Sequence, residues 1–274
     1  MAKKIGEEPQ RNNSMPDGNE ADRPQARDAR KPRGKVISWI VIAVAAAVLV
    51  FALVQIMGIK SEDWAGEKVY DNLKAAAEPA GEAAADPRDR KIDFDALKAI
   101  NQDIIGWIYI PDTRIDYPVV IGTDNDYYIS HNADQSENKA GAIFLDYQNA
   151  PDFSDQNTII YGHRMNDGSM FAGLHDYEKE DFFRENDTVY LYLPDGAVNE
   201  YKVFSAYTTG AVDDTYTMGF ASDEAYRKYL QEMQARSSFA TDDTLSAQDK
   251  IITLSTCVRY QDDNRYVVQA VLQK

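Results

Sequence analysis

The stretch Ile251-Ile252-Thr253-Leu254-Ser255-Thr256-Cys257 reads as a strand: apolar and β-branched, free of Gly and Pro, and ending on the only cysteine of the chain. Downstream, Arg265–Leu272 is a second such run. Upstream, working back along the chain, Val198–Thr209, Thr188–Leu193, Asn157–His163, Gly141–Asp146, Ile115–Ile121 and Trp107–Ile110 carry the same signal, the last closed by Pro111 and Asp112. Thr188–Leu193 is followed by Pro194-Asp195-Gly196, a turn signal that predicts a hairpin. Helical spacing is rarer. Leu97, Ile100 and Ile104 fall on one face of a short helix. Ser222 is placed to cap a helix with Asp223 and Glu224 in its first turn, and Tyr226, Tyr229, Leu230 and Met233 form its core-packing stripe. About eight strands without regular βα alternation predict a mostly antiparallel β-barrel with appended helices. No internal repeat, P-loop, GxGxxG or HExxH is present.

Composition narrows the function. The 274 residues are 44% apolar and 27% charged, with net charge −16, one Cys and three His. This is ample for a core and excludes disorder throughout. It also excludes an intrachain disulfide framework and a Cys-rich zinc site. The acidic balance argues against nucleic acid as a partner. No cofactor or metal is expected, since nothing has calcium-ligand spacing either.

The charge is split by an apolar run. Residues 1–35 carry nine Lys/Arg and six Asp/Glu, whereas residues 61–274 carry 19 and 39. Between them, residues 36–59 contain no charge, with Ser38 and Gln55 the clearly polar members. As a helix this run extends roughly 36 Å, enough for a hydrocarbon core of ~30 Å. Arg30, Lys31, Arg33 and Lys35 precede it directly, so residues 1–35 are expected in the cytoplasm, as a disordered basic head, and the remainder outside. A cleaved signal peptide is the competing reading, but the run is long for one and no small-x-small site follows it. Residues 60–91, rich in Ala, Glu, Gly and Pro in their second half, read as an extracellular spacer with too few large apolar residues to pack. A compact domain is expected over 92–274.

Three residues at strand ends can carry chemistry. Cys257 ends one strand, His163 ends another, and Arg265 opens the last. One rim of a barrel can bring such residues together. A thiolate favoured by a neighbouring cation, a proton-transferring imidazole and a guanidinium aimed at a developing oxyanion suffice for acyl transfer. Spacing alone leaves this open. A lone cysteine on an exported domain is a dimer bridge, an inert buried thiol or a reactive one. His131, His163 and His175 are not distinguished by composition.

The motifs are more specific than the spacing. Thr253-Leu254-Ser255-Thr256-Cys257 resembles the TLxTC signature of sortases, and Asn157–His163 resembles their histidine motif, NxxxYGH. Gly106-Trp107-Ile108, Ile115–Val120, Asp124–Tyr128, Gly141–Asp146, Met170-Phe171 and Phe204–Tyr207 are similar to class B members, and the likeness runs from about Asp93 to Leu272. The resemblance implies a closed eight-stranded sortase-type barrel with an N-terminal helix and a further helix before the cysteine strand. It implies a cysteine transpeptidase in which Cys257 is the nucleophile, His163 the acid/base, and Arg265 the oxyanion or substrate-positioning residue. Asn125, Ser255 and Thr256 are then expected to line the peptide groove. The implied partners are secreted proteins bearing a C-terminal sorting signal and an amine acceptor from a peptidoglycan precursor or a pilin, with the lipid bilayer held through residues 36–59. The stretch 258–264, short and acidic, departs from the best-known members. His131→Ala and His175→Ala are expected to be near neutral for the chemistry.

Overall fold

Pairing of each strand with a neighbour on both sides closes the sheet into a cylinder, several of whose strands are buried on nearly every residue. A computed structural model of the protein describes residues 33–78, 84–258 and 261–273; residues 1–32 of the basic head, 79–83 of the 60–91 segment and 259–260 of the 258–264 stretch lie outside them. The strands are β1 (Ile104–Tyr109), β2 (Asp116–Ile121), β3 (Ile143–Leu145), β4 (Asn157–Tyr161), β5 (Thr188–Tyr192), β6 (Val198–Gly210), β7 (Ile251–Val258) and β8 (Gln261–Leu272). They form a closed barrel in the order β1-β2-β3-β4-β7-β8-β6-β5, with β5 pairing back to β1. The β2/β3 and β4/β7 pairs are parallel and the others antiparallel. The hairpin between β5 and β6 turns on Gly196, whose φ of 87° is costly for a residue with a side chain.

Side-chain parity along β4, β7 and β8 decides what faces the site, because successive residues point to opposite faces of a sheet. Ile160, Ile252, Leu254, Tyr266 and Val268 point into the barrel, into a core that also takes Phe171, Leu174 and Tyr177 from a 3₁₀ turn over Phe171–Glu178. Residues of the other parity, Ile251 and Val267 among them, pack outward against the helix α4 (Asp223–Arg236). That helix is capped by Ser222, which accepts from the Ala225 amide, and buries Tyr226, Tyr229, Leu230 and Met233, as its spacing predicts.

Two expectations are corrected. Ile104 belongs to β1 rather than to the preceding helix, α2 (Phe94–Ile100), and Ile100 is 45% exposed. The buried face of this short helix is Phe94 and Leu97, because Asn101 already takes the extended conformation that ends it. The second correction concerns residues 60–91. A helix, α1, runs over Arg33–Ala77. Within the unit Gln55–Lys274, Tyr70, Leu73 and Ala77 fall on one helix face, and Leu73 and Ala77 are buried with Phe94, Trp107 and Tyr190. Tyr70 donates to the Gly141 carbonyl at 2.5 Å. Three residues at the right spacing pack where overall composition suggests a spacer. Earlier in α1, Ile37–Gly58 is long and apolar enough to cross a membrane and buries none of itself inside the chain.

Asp116, at the start of β2, ties α1 to the barrel. It accepts from Trp107 Nε1 and from Arg90, both at 2.7 Å, and pairs with Lys74, while Arg90 also pairs with Glu78. The Arg90 guanidinium lies 5.4–5.6 Å from the ring centres of Trp107, Tyr109 and Tyr192. Burial pushes the Asp116 carboxyl up, but Arg90, Lys74 and Trp107 outweigh it and hold it below the usual carboxylate range. Its contribution is therefore complete above the unfolded value of about 3.9 and is lost as pH falls through the lower folded value. Asp116→Asn leaves a largely buried Arg90 without this partner and is expected to cost about 3–5 kcal/mol. Thermal unfolding followed down the acid range checks both points. Wild type is expected to lose melting temperature more steeply than the variant, and parallel curves would contradict the assignment.

Candidate active site

The register of three neighbouring strands assembles the site. Cys257 on β7 is directly opposite Arg265 on β8, so their side chains emerge side by side on one face. β4 runs parallel to β7 with Asn157 against Ile251 and Tyr161 against Ser255. His163 lies two residues past Tyr161, as Cys257 lies two past Ser255. The Gly162 amide donates to the Ser255 carbonyl at 3.1 Å, which carries the pairing one residue beyond β4. Parity puts Cys257, His163 and Arg265 on the face opposite the barrel interior. Where α4 stops covering that face, a cavity of about 370 Å³ opens.

This cavity is lined by Cys257, His163, Arg265, Asn125, Ser255 and Thr256, so all the residues singled out from the sequence meet there. The roles open to them differ. Cys257 is partly exposed and reduced. His163 Nε2 lies 2.8 Å from the Ile129 carbonyl, to which it donates, leaving Nδ1 for proton exchange. Ile129 is held close by Gly141, which has φ 59° and where an added Cβ would stand 2.6 Å from the Tyr128 and Ile129 carbonyl oxygens.

Asn125 lines the cavity but spends its amide on the fold. It donates to Asp146 at 2.9 Å and accepts from the Tyr147 amide at 3.1 Å. Ser255 is buried and its hydroxyl lies 2.9 Å from that of Tyr216. Thr256 has the parity of the barrel interior, and its buried hydroxyl makes no hydrogen bond.

Tyr161 and Gly162 of the histidine motif also line the cavity, and sequence reasoning did not single out Tyr216, Ala211, Phe144, Ile129 and Asp126, which make up the rest of the lining. It also missed Asp146, 4% exposed, which accepts from Tyr161 and Asn125 and so latches the histidine strand to the loop at Asn125. Burial, and then Asp146, push the Tyr161 phenol up; burial does the same for Tyr216, against the Ser255 hydrogen bond and the Arg265 charge. The wall bearing Ala211 and Tyr216 is fastened by Asp213. Burial works against its charge, but the Thr215 hydroxyl and amide and Arg236 of α4 lower its carboxyl to about 2. A third histidine, His175, reaches the Cys257 backbone from the barrel side, with Nε2 at 3.1 Å from the carbonyl oxygen. Among the described residues, no group of three or more His, Cys, Asp or Glu is placed to hold a metal ion.

This arrangement matches known proteins in sequence and in shape. The family profile described as Sortase domain matches residues 108–273. Sortase B of Listeria monocytogenes is 39% identical over 207 residues, 74% of this chain and 80% of that protein. Sortase B of Staphylococcus aureus is 35% identical over 166 residues, 60% of this chain and 67% of that protein. The crystal structure of sortase B from B. anthracis in complex with AAEK1 superposes with a TM-score of 0.69 at 37% identity, covering 78% of this chain and 99% of that one. Barrel and sequence therefore agree, and the chain belongs to the sortase family, within class B.

Proposed function

We propose that this protein is a membrane-anchored cysteine transpeptidase that cleaves a C-terminal sorting motif of secreted proteins after Thr and joins the new carboxyl end to an amine of a peptidoglycan precursor. The observation that carries the reading is the convergence of Cys257, His163 and Arg265 from three adjacent strand ends on one cavity. The apolar helix and the positive flank before it support an anchor with the N-terminus in the cytoplasm and the barrel outside.

The chemistry follows from the placement. The Cys257 thiolate attacks the Thr carbonyl carbon, and the Arg265 guanidinium donates to the oxyanion that develops. His163 gives its proton to the leaving amine as the C–N bond breaks, which leaves a thioester on Cys257. The acceptor amine then attacks the thioester carbonyl, His163 takes the proton it sheds, and the thiolate leaves. Walls of Phe144, Ile129, Tyr161 and Tyr216 limit water at the thioester and favour aminolysis over hydrolysis.

The test uses the full-length protein in detergent with a panel of pentapeptide sorting motifs, with and without an acceptor amine, beside Cys257→Ala. A ligated product that appears only with amine is the expected result. Free acid alone, whatever the amine concentration, would mean a hydrolytic peptidase. Motif binding unchanged by Cys257→Ala, with no cleavage by wild type, would mean an anchored binding module.

A further inference from the structure

A histidine that this chemistry leaves unused stands directly behind the nucleophile. His175 lies in the 3₁₀ turn Phe171–Glu178 and its side chain is 9% exposed. Its Nδ1 is 2.6 Å from Glu178 Oε1 and its Nε2 is 3.1 Å from the Cys257 carbonyl oxygen. The Cys257 carbonyl oxygen only accepts, so Nε2 is the donor in that bond. The ring also stacks on Tyr266 at 4.9 Å and 25°, the residue next to Arg265 and the register partner of Thr256. The location matters because the β7/β8 register shifts between Cys257 and Val258. The regular ladder stops at the nucleophile, and the peptide leaving it is gripped by His175.

We propose that His175, oriented by Glu178, is a positioning residue: its Nε2–H holds the Cys257 carbonyl and so fixes where the thiol stands relative to His163 and Arg265. The proposal rests on the transpeptidase reading for its consequence, since a nucleophile displaced by about 1 Å loses on the order of 100-fold in rate. For His175 it replaces the expectation that loss of the side chain is near neutral for the chemistry, because Nε2 contacts the Cys257 carbonyl; for His131 that expectation stands.

The experiment uses the full-length protein in detergent with His175→Phe, His175→Gln and Glu178→Gln. Phe keeps a ring against Tyr266 and removes both ring nitrogens; Gln returns an amide donor near the position of Nε2. Melting temperature, kcat and KM for the motif peptide, and the rate of Cys257 alkylation by iodoacetamide are measured. In His175→Phe, kcat is expected to fall about 10-fold with KM within about twofold, and His175→Gln to recover most of that loss. Wild-type kcat in a folded Phe variant overturns the proposal, as does a Gln variant no better than Phe at equal melting temperature. Should Phe unfold the chain, Glu178→Gln at a half-exposed position decides: about a threefold fall in kcat supports the proposal and an unchanged kcat overturns it. Should wild type cleave no motif, the transpeptidase reading fails separately. The alkylation rates then decide the positioning: a change in the Phe variant that Gln reverses supports it, and identical rates overturn it.

Discussion

Cys257→Ala is expected to abolish turnover, and His163→Ala and Arg265→Ala each to lower kcat by about 1,000-fold without unfolding the domain. Geometry sets these expectations. The three side chains lie at strand ends beside a cavity, so none of them bridges the core. On the proposed mechanism, removing the thiol removes the atom that carries the acyl group. On the same mechanism, removing His163 leaves the leaving amine without a proton, and removing Arg265 leaves the oxyanion without its guanidinium. His131 provides the control: it stacks on Tyr127 at 4.0 Å and contacts the Tyr127 carbonyl, and it is absent from the cavity lining. His131→Ala is expected to keep kcat within about threefold of wild type. Steady-state kinetics with circular dichroism checks the set, and full activity in the His163 variant would overturn the assignment.

The second large effect is expected from Gly162→Ala. Gly162 lies between the end of β4 and His163, and a Cβ there would collide with Ile143 and stand 2.8 Å from the Phe171 ring. Both side chains are fully buried, so neither can move aside cheaply. Overpacking of this kind costs about 1–3 kcal/mol. The strand end must yield instead, carrying the imidazole away from Cys257, so kcat is expected to fall about 100-fold while KM moves little. A variant within a few-fold of wild-type kcat would show that His163 does not depend on this close approach.

Most of the barrel is legible in the sequence because its strands are bounded by turn residues and alternate or run apolar, and each of the eight strand segments read from the sequence overlaps an observed strand. Pairing is not legible. That β4 lies parallel beside β7 depends on contacts 94 residues apart, yet this pairing puts His163 next to Cys257. Leu73 and Ala77 were hidden because a charged, Ala-rich composition masks a buried stripe along one helix face. That Cys257, His163 and Arg265 line one cavity was legible through motif resemblance and not from their types, which alone permit inert places. Asn125 was legible as a lining residue but not as the partner of Asp146, and the contact of His175 with the Cys257 carbonyl was not legible at all. It comes from a turn packed into the barrel core, which no local pattern announces.

The most direct test of the central claim is the mass of the protein during turnover. The full-length chain is mixed with a cleaved motif peptide in the absence of acceptor amine, quenched in acid and digested. An acyl adduct, the motif up to its Thr, is expected on the peptide that contains Cys257, discharged when amine is added before the quench. Turnover with no adduct on Cys257, or an adduct that amine does not discharge, would contradict it.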